Sequence, residues 1–147
     1  MKRSKKNIKN KEDLSMYKGA SKIAYRAHYG QFRRGGTISY IIHPLRVANS
    51  FKDDIKKTIA ILHDVAEDTE LGLEDLKQFG VKVVDAVDAL SRRKEEKYFD
   101  YIKRLKKNEL AVEIKIVDII DNISDTTSVQ SPSMIKRYDK SLKMLLA

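Results

Sequence analysis

The sequence predicts an all-α fold, a compact helical bundle in one domain. Only two prolines and six glycines interrupt its 147 residues. Apolar residues recur at helical intervals almost throughout, and nowhere does the strict alternation of a half-buried strand compete with them. About seven or eight short helices account for the pattern.

The first helix is expected from about Glu12 to His28, with Leu14, Tyr17, Ala20, Ala24 and Ala27 inward. A glycine-containing, arginine-rich loop follows from Gly30 to Tyr40. Pro44 suits the first position of a helix, where its missing N–H is not needed, and Leu45, Val47, Ala48 and Phe51 give that helix a core face. The next helix, Asp53 to Glu67, buries Ile55, Ile59, Leu62 and Ala66. A short helix at Leu73–Phe79 stops at Gly80, and Val81–Ser91 repeats Val84, Val87 and Leu90. After a charged connector from Ser91 to Lys97 come helices at Tyr98–Lys106 and Leu110–Ile123. Ser131-Pro132 opens the last helix, with Ile135, Tyr138, Leu142 and Leu145 as its inward stripe.

Composition narrows the function classes. Hydrophobic residues make up 41% of the chain, enough for a continuous core. No apolar run approaches the roughly 20 residues that span a bilayer, so no membrane partner is expected. The N-terminus lacks the apolar segment of a secretory signal. There are no cysteines, which removes disulfides, thiolate ligands and cysteine nucleophiles and fits a cytoplasmic protein. Six of the nine net positive charges lie in residues 1–11, at Lys2, Arg3, Lys5, Lys6, Lys9 and Lys11. The expected organisation is therefore a basic, flexible tail over residues 1–11 and a globular domain over 12–147. Nucleic acid is not expected as a partner beyond weak contacts by that tail. The oligomeric state is not written in the pattern.

The chemistry concentrates in Ala60-Ile-Leu-His-Asp-Val-Ala-Glu-Asp-Thr69. Its first half is apolar, as a buried helix should be, and then His63, Asp64, Glu67 and Asp68 arrive together at the C-terminal end. The helix dipole opposes negative charge there, and buried charge requires a partner. A bound cation meets both demands. Neutral imidazole with carboxylate oxygen suits Mn²⁺, Fe²⁺ or Zn²⁺ better than Ca²⁺. Two further donors stand in apolar settings: His43 in Ile41-Ile-His-Pro44, and Asp118 in Ile114-Lys-Ile-Val-Asp-Ile-Ile120. The plainer alternatives are a capping or core histidine for His43 and a buried Lys or Arg partner for Asp118.

Three blocks carry a resemblance: Ala27-His-Tyr-Gly-Gln-Phe-Arg33, Tyr40-Ile-Ile-His-Pro-Leu-Arg-Val-Ala48 and Leu62-His-Asp-Val-Ala-Glu-Asp-Thr69. With Leu73–Gly80 and Ile114–Asp118, they resemble the hydrolase domain of Rel/Spo-type alarmone enzymes and the small alarmone hydrolases, members of the HD superfamily of phosphohydrolases. The resemblance covers residues 14 to 127 and implies a compact HD-domain helical bundle. It implies that His43, His63, Asp64 and Asp118 bind one divalent ion, Mn²⁺ in those enzymes. It also implies that Glu67 and Asp68 position and activate the attacking water, and that Asn122 and Arg33 meet the nucleotide. His28 falls in a family motif without being a ligand, and a structural role is expected for it. Where the family continues D-R-L-H-N or D-K-L-Y-N, this chain has Asp118-Ile-Ile-Asp-Asn122, and its 33–39 loop departs from R-x-S-G-E-P and is longer by one residue. These changes look more like a branch of stand-alone HD proteins.

The expected activity is metal-dependent hydrolysis of a nucleotide phosphate, of the (p)ppGpp 3′-pyrophosphohydrolase type, without alarmone synthesis. Arg33, Arg34, Arg46 and Arg104 are candidates to neutralise substrate phosphates. Tyr98 and Tyr101 are expected as an inward helix stripe. Asp121 is open to a supporting role beside Asp118, and Asp125 reads as a solvated acidic edge. Three alternatives stand beside this: an HD-type nucleoside monophosphate phosphatase, a non-catalytic nucleotide sensor, and a basic-tailed module that binds RNA or acidic partners.

Overall fold

A computed structural model describes residues 14–147. Glu12 and the basic tail lie outside the described residues. Among the described residues eight α-helices follow one another: α1 (Ser15–Ala27), α2 (Ile42–Asn49), α3 (Asp54–Leu62), α4 (Val65–Asp68), α5 (Val81–Leu90), α6 (Tyr98–Leu105), α7 (Glu109–Ser124) and α8 (Pro132–Leu146). A 3₁₀ helix, Leu73–Phe79, joins α4 to α5. Among the described residues the only β-type pairing is an isolated bridge between Phe32 and Ser39. The all-α reading holds.

Helix starts follow side-chain chemistry. The Asp53 carboxylate accepts the amides of Ile55 and Lys56, Asn108 accepts that of Ala111, and Ser131 accepts that of Met134 with Pro132 behind it. Gly80, at φ 91°, turns the chain between the 3₁₀ helix and α5.

Helix α3 is the axis of the bundle. Thr58, Ile59, Ala60, Ile61 and Leu62 are all buried, because α1, α2, α5 and α7 pack around it. Helix α7 in turn packs on α2, α5 and α8. This brings the end of α3, the start of α2 and the middle of α7 to one place.

Several expectations need correction. The predicted Asp53–Glu67 helix is two helices, α3 and α4, with a turn at His63-Asp64. The His63 Nδ1–H donates at 2.5 Å to the Ala60 carbonyl, the acceptor that the Asp64 amide would use in a continuing helix. Helix α2 begins at Ile42, so Pro44 is its third residue, and Phe51 lies beyond its end. Leu14 is 36% exposed and Ile135 39% exposed, so neither joins its predicted inward stripe. On α5 the deepest residues are Val83, Ala86 and Val87, while Val84 is only partly buried.

Candidate metal centre

Three segments converge. Helix α2 presents His43, the turn between α3 and α4 presents His63 and Asp64, and α7 presents Asp118. One donor atom from each of the four lies within 4.8 Å of all the others. His43 Nε2 stands 2.7 Å from Asp118 Oδ1 and 3.9 Å from Asp64 Oδ2. His63 Nε2 stands 3.0 Å from Asp64 Oδ2 and 3.3 Å from Asp118 Oδ1.

Both imidazoles have their Nδ1–H committed elsewhere: His43 to Asp121 at 2.6 Å, and His63 to the Ala60 carbonyl. That leaves each Nε2 aimed into the cluster, the arrangement a metal-binding histidine requires. Burial alone would lower the pKa of His63, yet Asp64 and Asp118 outweigh it and hold it well above the ordinary value. Burial likewise opposes ionisation of Asp64, but His63 overrides it and keeps the carboxyl below the usual range. Two ionised carboxylates thus face two imidazoles that hold protons, and a divalent cation would displace those protons. The donor set fits such an ion.

Each member has a support. Tyr40 donates its hydroxyl to Asp64. The Lys115 ammonium lies 2.9 Å from Asp118 Oδ2, and Asn122 donates to Asp118 Oδ1 at 3.3 Å.

Three members of the cluster, His43, Asp64 and Asp118, line a cleft of about 630 Å³, and His63 is buried behind them. Glu67 and Asp68 line the same cleft. The Arg92 amide donates to Glu67 at 3.0 Å. Gln31 donates to the Asp68 carbonyl at 2.8 Å and accepts from His28 Nδ1–H at 2.8 Å, so His28 and Gln31 brace the end of α4. Partial burial, with the charges of Asp64 and Glu67, pushes the Asp68 carboxyl up to about 7.

Of the proposed substrate-binding residues, Arg33 and Asn122 line the cleft, as does Arg34. Arg46 and Arg104 do not. Arg46 is bound to Asp121 and Asp125, and Arg104 to Glu96 and the carbonyl of Ser91. Asp125 is not a solvated edge: its side chain is 2% exposed, between Arg33 and Arg46. Tyr101 is buried as expected and donates to the Leu90 carbonyl, whereas Tyr98 lines the cleft under the Arg137 guanidinium.

Sequence reasoning passed over Tyr40, Lys115, Arg137 and Tyr138, which also line the cleft. Lys115 carried a signal, as a lysine inside an apolar helix three residues before Asp118. The mouth is drawn tight where the 33–39 loop meets the segment after α7, with the Val129 amide donating to the Arg34 carbonyl at 2.9 Å. A Cβ at Gly36 would stand 2.8 Å from the Thr127 carbonyl oxygen, so this approach needs glycine.

No family model matches the chain. It is 41% identical over 86 residues to a guanosine-3′,5′-bis(diphosphate) 3′-pyrophosphohydrolase of Borreliella burgdorferi, covering 55% of this chain and 13% of the relative. A protein of the same name from Vibrio cholerae is 35% identical over 114 residues, 71% of this chain and 16% of the relative. The chain thus spans under a fifth of the curated relatives it matches. Among solved structures, that of a metazoan SpoT orthologue described as hydrolysing ppGpp superposes with a TM-score of 0.73 at 24% identity, over 90% of this chain and 84% of the other. The chain shares that protein's fold, and its sequence resembles the Rel/Spo-type HD hydrolase domain.

Proposed function

We propose that this chain is a divalent-metal-dependent phosphohydrolase that releases pyrophosphate from the 3′ position of a (p)ppGpp-type guanosine nucleotide. The observation that carries the reading is the convergence of His43, His63, Asp64 and Asp118 within 4.8 Å, beside Glu67 and Asp68 in one cleft. The names of its relatives support the choice of substrate.

His43, His63, Asp64 and Asp118 would hold the ion, with Mn²⁺ the first choice and Fe²⁺ or Zn²⁺ suited to the same donors. When bound, the ion supplies Lewis-acid polarisation of a phosphoryl oxygen and lowers the pKa of a water. Asp68, with a pKa near 7, is placed to take a proton from the attacking water at neutral pH. Glu67, fixed by the Arg92 amide, is the neighbouring acid that would orient that water. Lys115 and Arg33 are engaged with Asp118 and Asp125, so Arg34 and Arg137 are the cleft cations offered to substrate phosphates. Asn122 and Arg33, linked at 2.8 Å, form a rigid pair at the nucleotide end. The nucleotide is the expected partner, and the cytoplasm the expected compartment.

The test is a Mn²⁺-supplemented hydrolysis panel of guanosine tetraphosphate, other pyrophosphorylated nucleotides and monophosphates, run beside Asp64→Ala. Pyrophosphate released by wild type and not by the variant supports the proposal. Orthophosphate from monophosphates instead would make the protein a monophosphate phosphatase. Equal inertness of both proteins on every compound would favour a nucleotide sensor.

A further inference from the structure

We propose that Asp121, clamped by Arg46, sets how tightly this chain retains its divalent ion, acting as a positioning residue through His43. The inference rests on the metal-centre reading above. Asp121 is one of the departures from the related enzymes, and it lies one helical turn after Asp118 on α7.

The geometry is specific. Asp121 Oδ2 accepts the His43 Nδ1–H at 2.6 Å, on the opposite side of the ring from the Nε2 that faces the cluster. The Asp121 carboxylate is itself gripped by the Arg46 guanidinium, from Nε at 2.8 Å to Oδ1 and from Nη2 at 3.1 Å to Oδ2. Arg46 also reaches Asp125 at 2.9 Å, and Asp125 accepts from Arg33 Nε at 2.9 Å. Arg33 donates to Asn122 at 2.8 Å, and Asn122 donates to Asp118. His43 Nε2 meets that same Asp118, so the contacts close into a ring.

This ring does three things to His43. It fixes the tautomer that leaves Nε2 free for an ion, and it locks the imidazole plane. A carboxylate behind a histidine also makes the ring a stronger donor, an effect of about 10- to 100-fold in metal affinity elsewhere. The two arginines balance Asp121 and Asp125, so the ring adds no net charge to the site. His63 is the internal contrast: its Nδ1–H meets only the neutral Ala60 carbonyl. The structure therefore gives one of the two histidines a charged support and the other a neutral one.

The test uses the full chain and Mn²⁺ alone, with affinity read by titration calorimetry and folding by circular dichroism in EDTA. Asp121→Ala is expected to weaken Mn²⁺ binding about 10- to 100-fold. Asp121→Asn still offers an oxygen to His43 and should lose roughly fivefold, between wild type and alanine. Arg46→Met leaves Asp121 on His43 and should lose only about threefold. If Asp121→Ala does not fold, Asp121→Asn decides the matter, and affinity equal to wild type in whichever variant decides overturns the inference. Wild-type protein that binds no Mn²⁺ would overturn the metal-centre reading as well. Tight wild-type binding with an unaffected Asp121 variant would overturn this inference alone.

Discussion

Lys115 and Asp118 meet at 2.9 Å one turn apart on α7, with the ammonium tucked behind the carboxylate and only 13% of the lysine side chain exposed. The pair gives Asp118 a fixed counter-charge on the side away from His43 and His63. Replacing Lys115 with Met leaves that carboxylate short of a partner and should cost about 3 kcal/mol of stability. Urea unfolding in EDTA measures it. The loss should shrink in saturating Mn²⁺, because the ion then compensates Asp118.

Ion binding should stabilise the fold only while its ligands are intact. At free Mn²⁺ about 100 times the dissociation constant, wild type should gain about 2.7 kcal/mol. His63→Ala and Asp64→Asn should lose most of that gain. Thermal unfolding with and without Mn²⁺ checks this, and an unchanged gain in both variants would move the ion elsewhere.

Glu67 and Asp68 line the cleft without joining the four-donor cluster. Glu67→Gln and Asp68→Asn should therefore lower kcat by about 10² to 10⁴ while leaving the Mn²⁺-dependent stabilisation nearly intact. Hydrolysis rates and thermal shifts on the same preparations separate the two effects. Loss of both together would make these acids ligands.

The pair Arg104–Glu96 predicts a pH signature away from the cleft. The Arg104 guanidinium, helped by the Arg93 amide, holds the Glu96 carboxyl down to about 2 from its usual 4.5. A carboxylate depressed on folding contributes stability above its unfolded pKa and loses it as pH falls toward the folded value. The deficit of Arg104→Ala, about 1 kcal/mol, should hold above pH 4.5 and narrow between 4.5 and 2. Urea midpoints across that range measure it. A deficit that does not change with pH would assign the contribution to Arg104's bonds to the Ser91 and Asp88 carbonyls instead.

Local periodicity made the helices legible, since Ala20, Ala24, Ile59, Leu62, Val87 and Leu90 recur at the spacing a buried face requires. The turn at His63-Asp64 was not legible. Val65 and Ala66 continue the apolar pattern, and the event that ends α3 is a side-chain bond from His63. His43, His63, Asp64 and Asp118 stood out because polar groups in apolar segments are costly. The fate of the arginines was hidden for the opposite reason. Arg33, Arg46 and Arg104 look free in sequence, but Arg33 and Arg46 find their acids on or just after α7, and Arg104 finds Glu96 in the connector before its own helix. Pairing of that kind depends on tertiary approach, which composition does not encode.

The turn that separates α3 from α4 also bears on how this chain is able to vary. His63 and Asp64 are aimed by the phase of the helix before them, and Glu67 and Asp68 by the phase of the helix after. Removing or adding one residue within α3 would swing everything beyond it by about 100° about the helix axis. Substitutions there change fit by degrees, whereas a length change would scatter four chemical groups at once. Across descendants of this sequence, insertions and deletions should accumulate in the connectors and spare the span from Asp53 to Asp68.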